Sequence, residues 1–284
     1  MDDLFEGVSQ TALRFGVFAG VFALLAIVEF LRPRRKRSAH KTRRWATNLA
    51  IVSIDGLVVR AMAMLAVPLA GTAAAVYAAT HGIGLLNWSE MPSCVGAVLA
   101  IIALDFAIWL QHVATHKVPL LWRLHQVHHA DIDFDVTTAI RFHPVEIALS
   151  VLWKIVCVLL LGPSVLAVVL FEIILNACAM FSHANIELPS EADRRLRLLI
   201  VTPDMHRVHH SVISREHHSN FGFNLSIWDR IFGTYRAQPE KGHENMMIGL
   251  PAYQSDEPAG LVWSLTLPFR WSKPPRAKGR TAGT

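Results

Sequence analysis

Charged residues make up only 17% of the 284-residue chain, and it has just three cysteines. No histidine pair stands in an H-E-x-x-H setting. Each scarcity excludes a class. So few charges against 52% hydrophobic residues, with a mean hydropathy of +0.36, leave the chain too apolar for an ordinary soluble domain. Cys94, Cys157 and Cys178 are odd in number and lie in apolar stretches, so no disulfide framework is implied and buried free thiols are expected. Without a glutamate beside a histidine pair, the general base of a zinc-dependent hydrolase is missing. The opening MDDLFEGVSQ lacks the positive n-region of a cleavable signal peptide, and the apolar run after it is expected to stay. A net charge of +5 would admit nucleic acid. The basic residues gather beside apolar segments, at Arg32 to Arg44 and Arg270 to Arg280, where anionic lipid headgroups are the better partner, so none is expected.

What the chain does have is membrane-length apolar runs, and an all-α polytopic bundle follows. The first span is expected over 11–31, long enough to cross about 30 Å of hydrocarbon. The segment RPRRKRSAHKTRR follows with eight Lys or Arg residues, which places that loop in the cytoplasm and the N-terminus outside. A second span runs from Ala46 to about Ala70, with Asn48 and Asp55 on an inward face because a carboxylate facing lipid is costly. A short interfacial helix and loop are expected over 71–92, and a third span over 93–116. Two more, 145–161 and 164–182, are joined by Gly162-Pro163 into a hairpin. From Asn185 the chain turns polar and reads as a cytosolic helical cap. Ala259 to Trp271 is too short to span and is expected at the interface, with a disordered basic tail after it. The boundaries fall as 1–92 for the N-terminal spans, 93–240 for a catalytic region, and 241–284 for the interfacial segment and tail.

The histidines organise this frame. LHQVHHAD and MHRVHHSV repeat the order H-x-V-H-H, so His125, His128 and His129, and again His206, His209 and His210, share one helical face. His112 and His116 add an i, i+4 pair at the foot of the third span. Eight clustered imidazoles exceed what one zinc needs, and two metal ions is the natural count. Spacing alone leaves zinc, iron, copper and nickel open. Asp105, Trp109, His112 and His116 lie in one stripe, which makes Asp105 either a carboxylate supporting the ligand pair or a structural hydrogen-bond acceptor. Glu172, Asn176 and His183 form a second stripe. His40, His81 and His243 have no partner in sequence and read as surface histidines.

The set H-x-x-x-H, H-x-x-H-H, RFHPVEI (Arg141 to Ile147), SHANIELP (Ser182 to Pro189), H-x-x-H-H and NFGFNLSIWDRIFGTYR (Asn220 to Arg236) resembles the fatty acid hydroxylase superfamily, also called the sterol desaturase family. The likeness covers Val95 to Arg236 and implies an integral membrane di-iron oxygenase acting on a lipid or sterol-like substrate with O2. It implies metal ligation by the eight clustered histidines, with His183 a ninth. His143 would line the substrate entrance or steady the ligands from behind, as would Asp105, Glu172, Asn176 and Asn185. His217 and His218 lie where similar sequences carry other polar residues and are left out. Two Fe ions are the expected cofactor, with Zn an alternative occupant of a purified form. The family's electron donors are cytochrome b5-like or ferredoxin proteins, and the donor here is expected to be separate; Arg194, Arg195 and Arg197 read either as its docking patch or as a solvated or lipid-facing helix side. Hydroxylation is the leading reaction, with desaturation by the same centre the alternative within enzymes and a non-enzymatic metal-binding protein the alternative outside them.

Overall fold

The computed structural model describes residues 10–36, 41–65 and 71–270. The described residues form helices and connecting turns, with three isolated antiparallel bridges and no strand among them. Five helices are long and apolar enough to cross a membrane: α1 (Gln10–Leu31), α2 (Lys41–Leu65), α4 (Ser93–Lys117), α6 (Pro144–Leu161) and α7 (Val165–His183). Between α2 and α4 lies the short α3 (Gly71–Thr80), and α5 (Pro119–His129) follows α4. The polar remainder holds α8 (Ser190–Leu196), α9 (Pro203–His209), α10 (Ser214–His217), α11 (Ile227–Ile231), α12 (Gly242–Asn245) and α13 (Leu261–Thr266). The expected span limits agree with the helix ends to within a residue or so, except at the start of α2, and the expected end of that span at Ala70 lies outside the described residues.

That helix begins at Lys41, five residues before the expected start. Its first turn is basic, which reads as loop, but Arg44 is buried rather than lipid-facing. The guanidinium lies 2.6 Å from Asp131 and 2.7 Å from Asp135, and Trp45 Nε1 donates to Asp135 at 3.0 Å. Others of the basic segment are also committed to protein: Arg34 pairs with Glu187, and Arg35 donates to the carbonyls of His243 and Met246. A headgroup role for the whole segment is therefore corrected.

Helix α7 is the most buried of the five and packs against α1, α3, α4 and α9. Its tight turn from α6 needs Gly162, whose φ of +65° ends α6 in the left-handed region. The Gly84 backbone approaches so closely that a Cβ there would lie 2.3 Å from the Gly162 amide nitrogen. Around the outside, Leu24 and Ile27 of α1, Leu57 and Met64 of α2, and Val98 of α4 remain exposed, as a lipid-facing belt requires.

The expected thiols are unpaired, with Cys157 buried and Cys178 half-buried, but Cys94 is exposed in the first turn of α4. Trp263 and Ser264 of α13 are buried, whereas Val262 and Phe269 are exposed, so the 259–269 stretch is half packed onto protein. The expected disordered tail after Arg270 lies outside the described residues.

The end of the bundle holding the C-termini of α1, α4 and α7 and the N-termini of α2 and α6 is where the polar segment packs. Glu29 Oε1 accepts from the amides of Val136 and Asn185, pinning α1 to both loops. Arg141, wholly buried, gathers four segments: it donates to Asn48 Oδ1, Val127 O, Pro258 O and Ser264 Oγ. These contacts frame the floor on which the histidines sit.

Candidate metal centre

Each histidine is delivered by the end of a helix. His112 and His116 occupy the last turns of α4, and His183 closes α7. Both H-x-x-H-H runs end short helices begun by proline, Pro119 in α5 and Pro203 in α9, where the missing amide costs nothing. Thr202 caps α9 by accepting from the Met205 amide. The C-terminal end of a helix carries partial negative charge and favours a cation.

The nine expected ligands fall into two groups whose nitrogens lie within 4.8 Å of one another: His112, His116, His125, His129 and His209, and His128, His183, His206 and His210. All nine are buried. In the first group, Nε2 of His112 lies 3.2 Å from that of His125 and 3.1 Å from that of His209. In the second, Nε2 of His183 is 3.2 Å from those of His128 and His206. The groups adjoin, with the rings of His129 and His210 stacked 4.5 Å apart.

The opposite ring nitrogens fix which atom bears the proton. His112 Nδ1 lies 2.7 Å from Phe221 O, His209 Nδ1 2.7 Å from Ser219 O, and His183 Nδ1 2.7 Å from Ala179 O. A carbonyl can only accept, so these Nδ1 atoms donate and the neutral rings turn Nε2 lone pairs inward. His125 donates its Nδ1 proton to Glu146 Oε1 at 2.6 Å. Lone pairs facing each other at such distances repel unless a cation lies between them. Two bonds of about 2.0–2.1 Å to one ion would set the nitrogens about 3 Å apart, as they are. Among the described residues His116, His129 and His210 find no hydrogen bond at either nitrogen, a cost of about 1–3 kcal/mol each that a metal would remove. Burial holds His128, His129, His206, His209 and His210 well below the ordinary imidazole value of 6.5, so they are neutral at pH 7. The residues present therefore fit two ions.

Several expected supporting residues stand elsewhere. Asp105 accepts from Trp228 Nε1 at 2.7 Å and from the Leu225 amide at 3.3 Å, and so takes the structural role. Glu172 pairs with Arg14 and Lys154, remote from the histidines. Asn176 donates to Glu172 O within its own helix, and Asn185 exchanges bonds with the Arg35 backbone. His143 caps α6, its Nδ1 accepting from the Val145 amide, and its Nε2 lies 3.2 Å from Leu265 O. Shared helical phase gave the right face for these side chains but not the partner.

The supporting groups are others. Glu146, the third residue of α6, stands behind His125, and its place inside RFHPVE was the available signal. Asp229 of WDRIFGTY accepts from the amides of Phe221 and Gly222, steadying the carbonyl that orients His112. Phe142 stacks on His128 at 4.4 Å and Phe134 on His183 at 5.4 Å, keeping water away. His217, left out on sequence, is buried with its ring 4.3 Å from that of His129 and 4.9 Å from that of His116, outside both groups. His218 is half-buried. His81 is exposed, but His243 is buried rather than on the surface, 3.0 Å from Gln238 Oε1, because Arg34, Arg35 and Asp204 close over it. His40 lies outside the described residues. In the expected docking patch Arg194 and Arg195 both pair with Glu191 and stay exposed, and Arg197 pairs with Asp193, so three cations face two carboxylates.

A cavity of about 240 Å³ reaches His112 and His125 from within the bundle, walled by Phe18, Ile108, Phe142 and Ile147. Asp55 also lines it, with Oδ1 lacking a hydrogen-bond partner among the described residues. Such a slot suits an apolar chain presented to the histidines.

Residues 97–234 match the model of the fatty acid hydroxylase family. The chain is 25% identical over 235 residues to the ornithine lipid hydroxylase OlsE of Rhizobium tropici, covering 82% of this chain and 70% of that protein. It is 34% identical over 143 residues to the alkylglycerol monooxygenase of Homo sapiens, 50% of this chain and 31% of that one. Against the very-long-chain aldehyde decarbonylase GL1-6 of Oryza sativa subsp. japonica the figure is 26% over 171 residues, 57% of this chain and 26% of the other. The chain thus spans most of the bacterial relative and a third or less of the other two. No solved structure matches it.

Proposed function

We propose that the chain, whose residues 97–234 match the fatty acid hydroxylase model, is an oxidoreductase of that family that hydroxylates a C–H bond of a membrane lipid or sterol-like substrate. The reaction consumes dioxygen, two electrons and two protons and releases alcohol and water. One observation carries this reading: two sets of buried histidine nitrogens adjoin, and two rings of the first set, His112 and His125, line a mostly apolar cavity that opens among membrane-length helices. The likeness to an ornithine lipid hydroxylase and to an alkylglycerol monooxygenase supports it.

We assign the nine histidines as ligands of two iron ions. When bound, such ions supply the redox chemistry that reduces dioxygen, which zinc cannot. The protein orients the ligands through Glu146 and the carbonyls of Phe221, Ser219 and Ala179. Phe142 and Phe134 exclude water, and the cavity walls decide which carbon lies against His112 and His125. The positive-inside bias supports a cytoplasmic position for this end of the bundle, where a separate electron donor would reach it.

Metal analysis of the detergent-purified full chain, with lipid profiling of cells with and without it, tests the reading. We expect two irons per chain and one lipid class that gains an oxygen atom. His128→Ala and His209→Ala should each deplete one group of metal and abolish the product while the protein still inserts in the membrane. A lipid class that instead loses two hydrogens would replace hydroxylation with desaturation, and wild-type protein that binds no redox metal would overturn the assignment.

A further inference from the structure

Three charged side chains sit inside the membrane-length helices and away from the histidines. Arg14 of α1 lies 3.1 Å from Glu172 of α7, and Lys154 of α6 pairs with the other oxygen of the same carboxylate. Two cations share one anion, which leaves a net positive charge. The Arg14 guanidinium is unsaturated as well: Nε and Nη2 are shielded from solvent and donate to no described residue. Charges at membrane depth are costly and are kept for use, and an orphaned buried donor adds to the cost.

The cluster is not sealed in. Arg14, Lys154 and Glu172 line a cavity of about 360 Å³. Its walls at Phe18, Ile108, Ile147, Ser150, Leu175 and Asn176 are also walls of the cavity that touches His112 and His125. On α6 the eight residues from Glu146, against His125, to Lys154 correspond to about 12 Å of helix. A chain anchored at the cluster would therefore pass along the shared wall to the metal end.

We propose that Arg14 and Lys154 bind the oxyanion end of the amphiphilic substrate, a carboxylate or a phosphate, and so set which carbon reaches the histidines. This rests on reading the neighbouring cavity as the substrate slot. A guanidinium offers a carboxylate or phosphate paired donors in a fixed fork, and Arg14 has an unused pair. Glu172 holds the two cations apart and in place when no ligand is bound. The pair lacks a partner among the described residues, and Arg14 itself lines the cavity.

The test uses the metal-loaded full chain in detergent and three probes of equal chain length: a saturated fatty acid, its methyl ester and the alkyl phosphate. Wild-type protein should bind an ionised probe about tenfold more tightly than the ester. Arg14→Gln and Lys154→Gln should each lose that preference and still bind the ester. Preference for the acid identifies a carboxylate source, and preference for the alkyl phosphate a phospholipid source. Equal binding of all three by wild-type protein, or a preference that survives in either variant, overturns the proposal. If Arg14→Gln does not accumulate, Arg14→Lys, which keeps the charge but loses the fork, should show a reduced preference, and an undiminished one counts against it. Metal content measured on the same samples separates the two readings, since an oxyanion preference without bound iron fails the metal assignment alone.

Discussion

Glu146 carries the sharpest consequence at the scale of one residue. Its carboxylate accepts the Nδ1 proton of His125 at 2.6 Å and thereby makes Nε2 the more basic nitrogen. Groups in that position are worth about 10–100-fold in metal affinity. Glu146→Gln, which still accepts the proton but without charge, should weaken the five-histidine group toward the lower figure, and Glu146→Ala toward the upper. The four-histidine group does not touch this side chain, so titration with limiting iron should take the variant from two tight sites to one. His217→Ala, by contrast, should keep both ions, because His217 lies outside both groups, and metal stoichiometry checks it. The histidine boxes were legible because spacing of i, i+3 and i+4 is a local property of a helix. Glu146 and the carbonyls of Phe221 and Ser219 were not, because which carboxylate or backbone oxygen meets a ring depends on how distant segments cross. Asp105 shows the same limit from the other side. Its stripe gave the inward face, and only the fold shows that Trp228 is what it meets.

Among the elements, the five long helices were readable from run length and charge alone, and their ends agree with the structure almost everywhere. The early start of α2 escaped because the acids that bury Arg44, Asp131 and Asp135, stand 87 and 91 residues further along the chain. Basic residues read singly look like loop, and paired they extend a helix. The α6–α7 turn yields a test at this scale. Gly162 has φ +65°, and a Cβ there would lie 2.6 Å from both Asn87 Nδ2 and Ile83 O. Gly162→Ala should cost at least about 1–2 kcal/mol from the left-handed backbone alone, read as a lower thermal unfolding midpoint in detergent. The turn is at the far end of both helices from His143 and His183, so iron content at low temperature should not change.

For the molecule as a whole, the single feature with the widest reach is Arg141. Its guanidinium joins Asn48 of α2, the last turn of α5, Pro258 and Ser264, residues that span most of the chain. The backbone that supports His128 and His129 is therefore incomplete until the residues near 264 have been made. On the proposed iron assignment, synthesis and metal capture are thereby ordered in time. Ribosome-tethered chains ending before residue 258 should already be integrated in the bilayer yet retain no iron, whereas chains extended past Ser264 and clear of the exit tunnel should acquire it. The cell would then hold no half-made chain with a loaded centre, because a loop made late is the one that licenses loading.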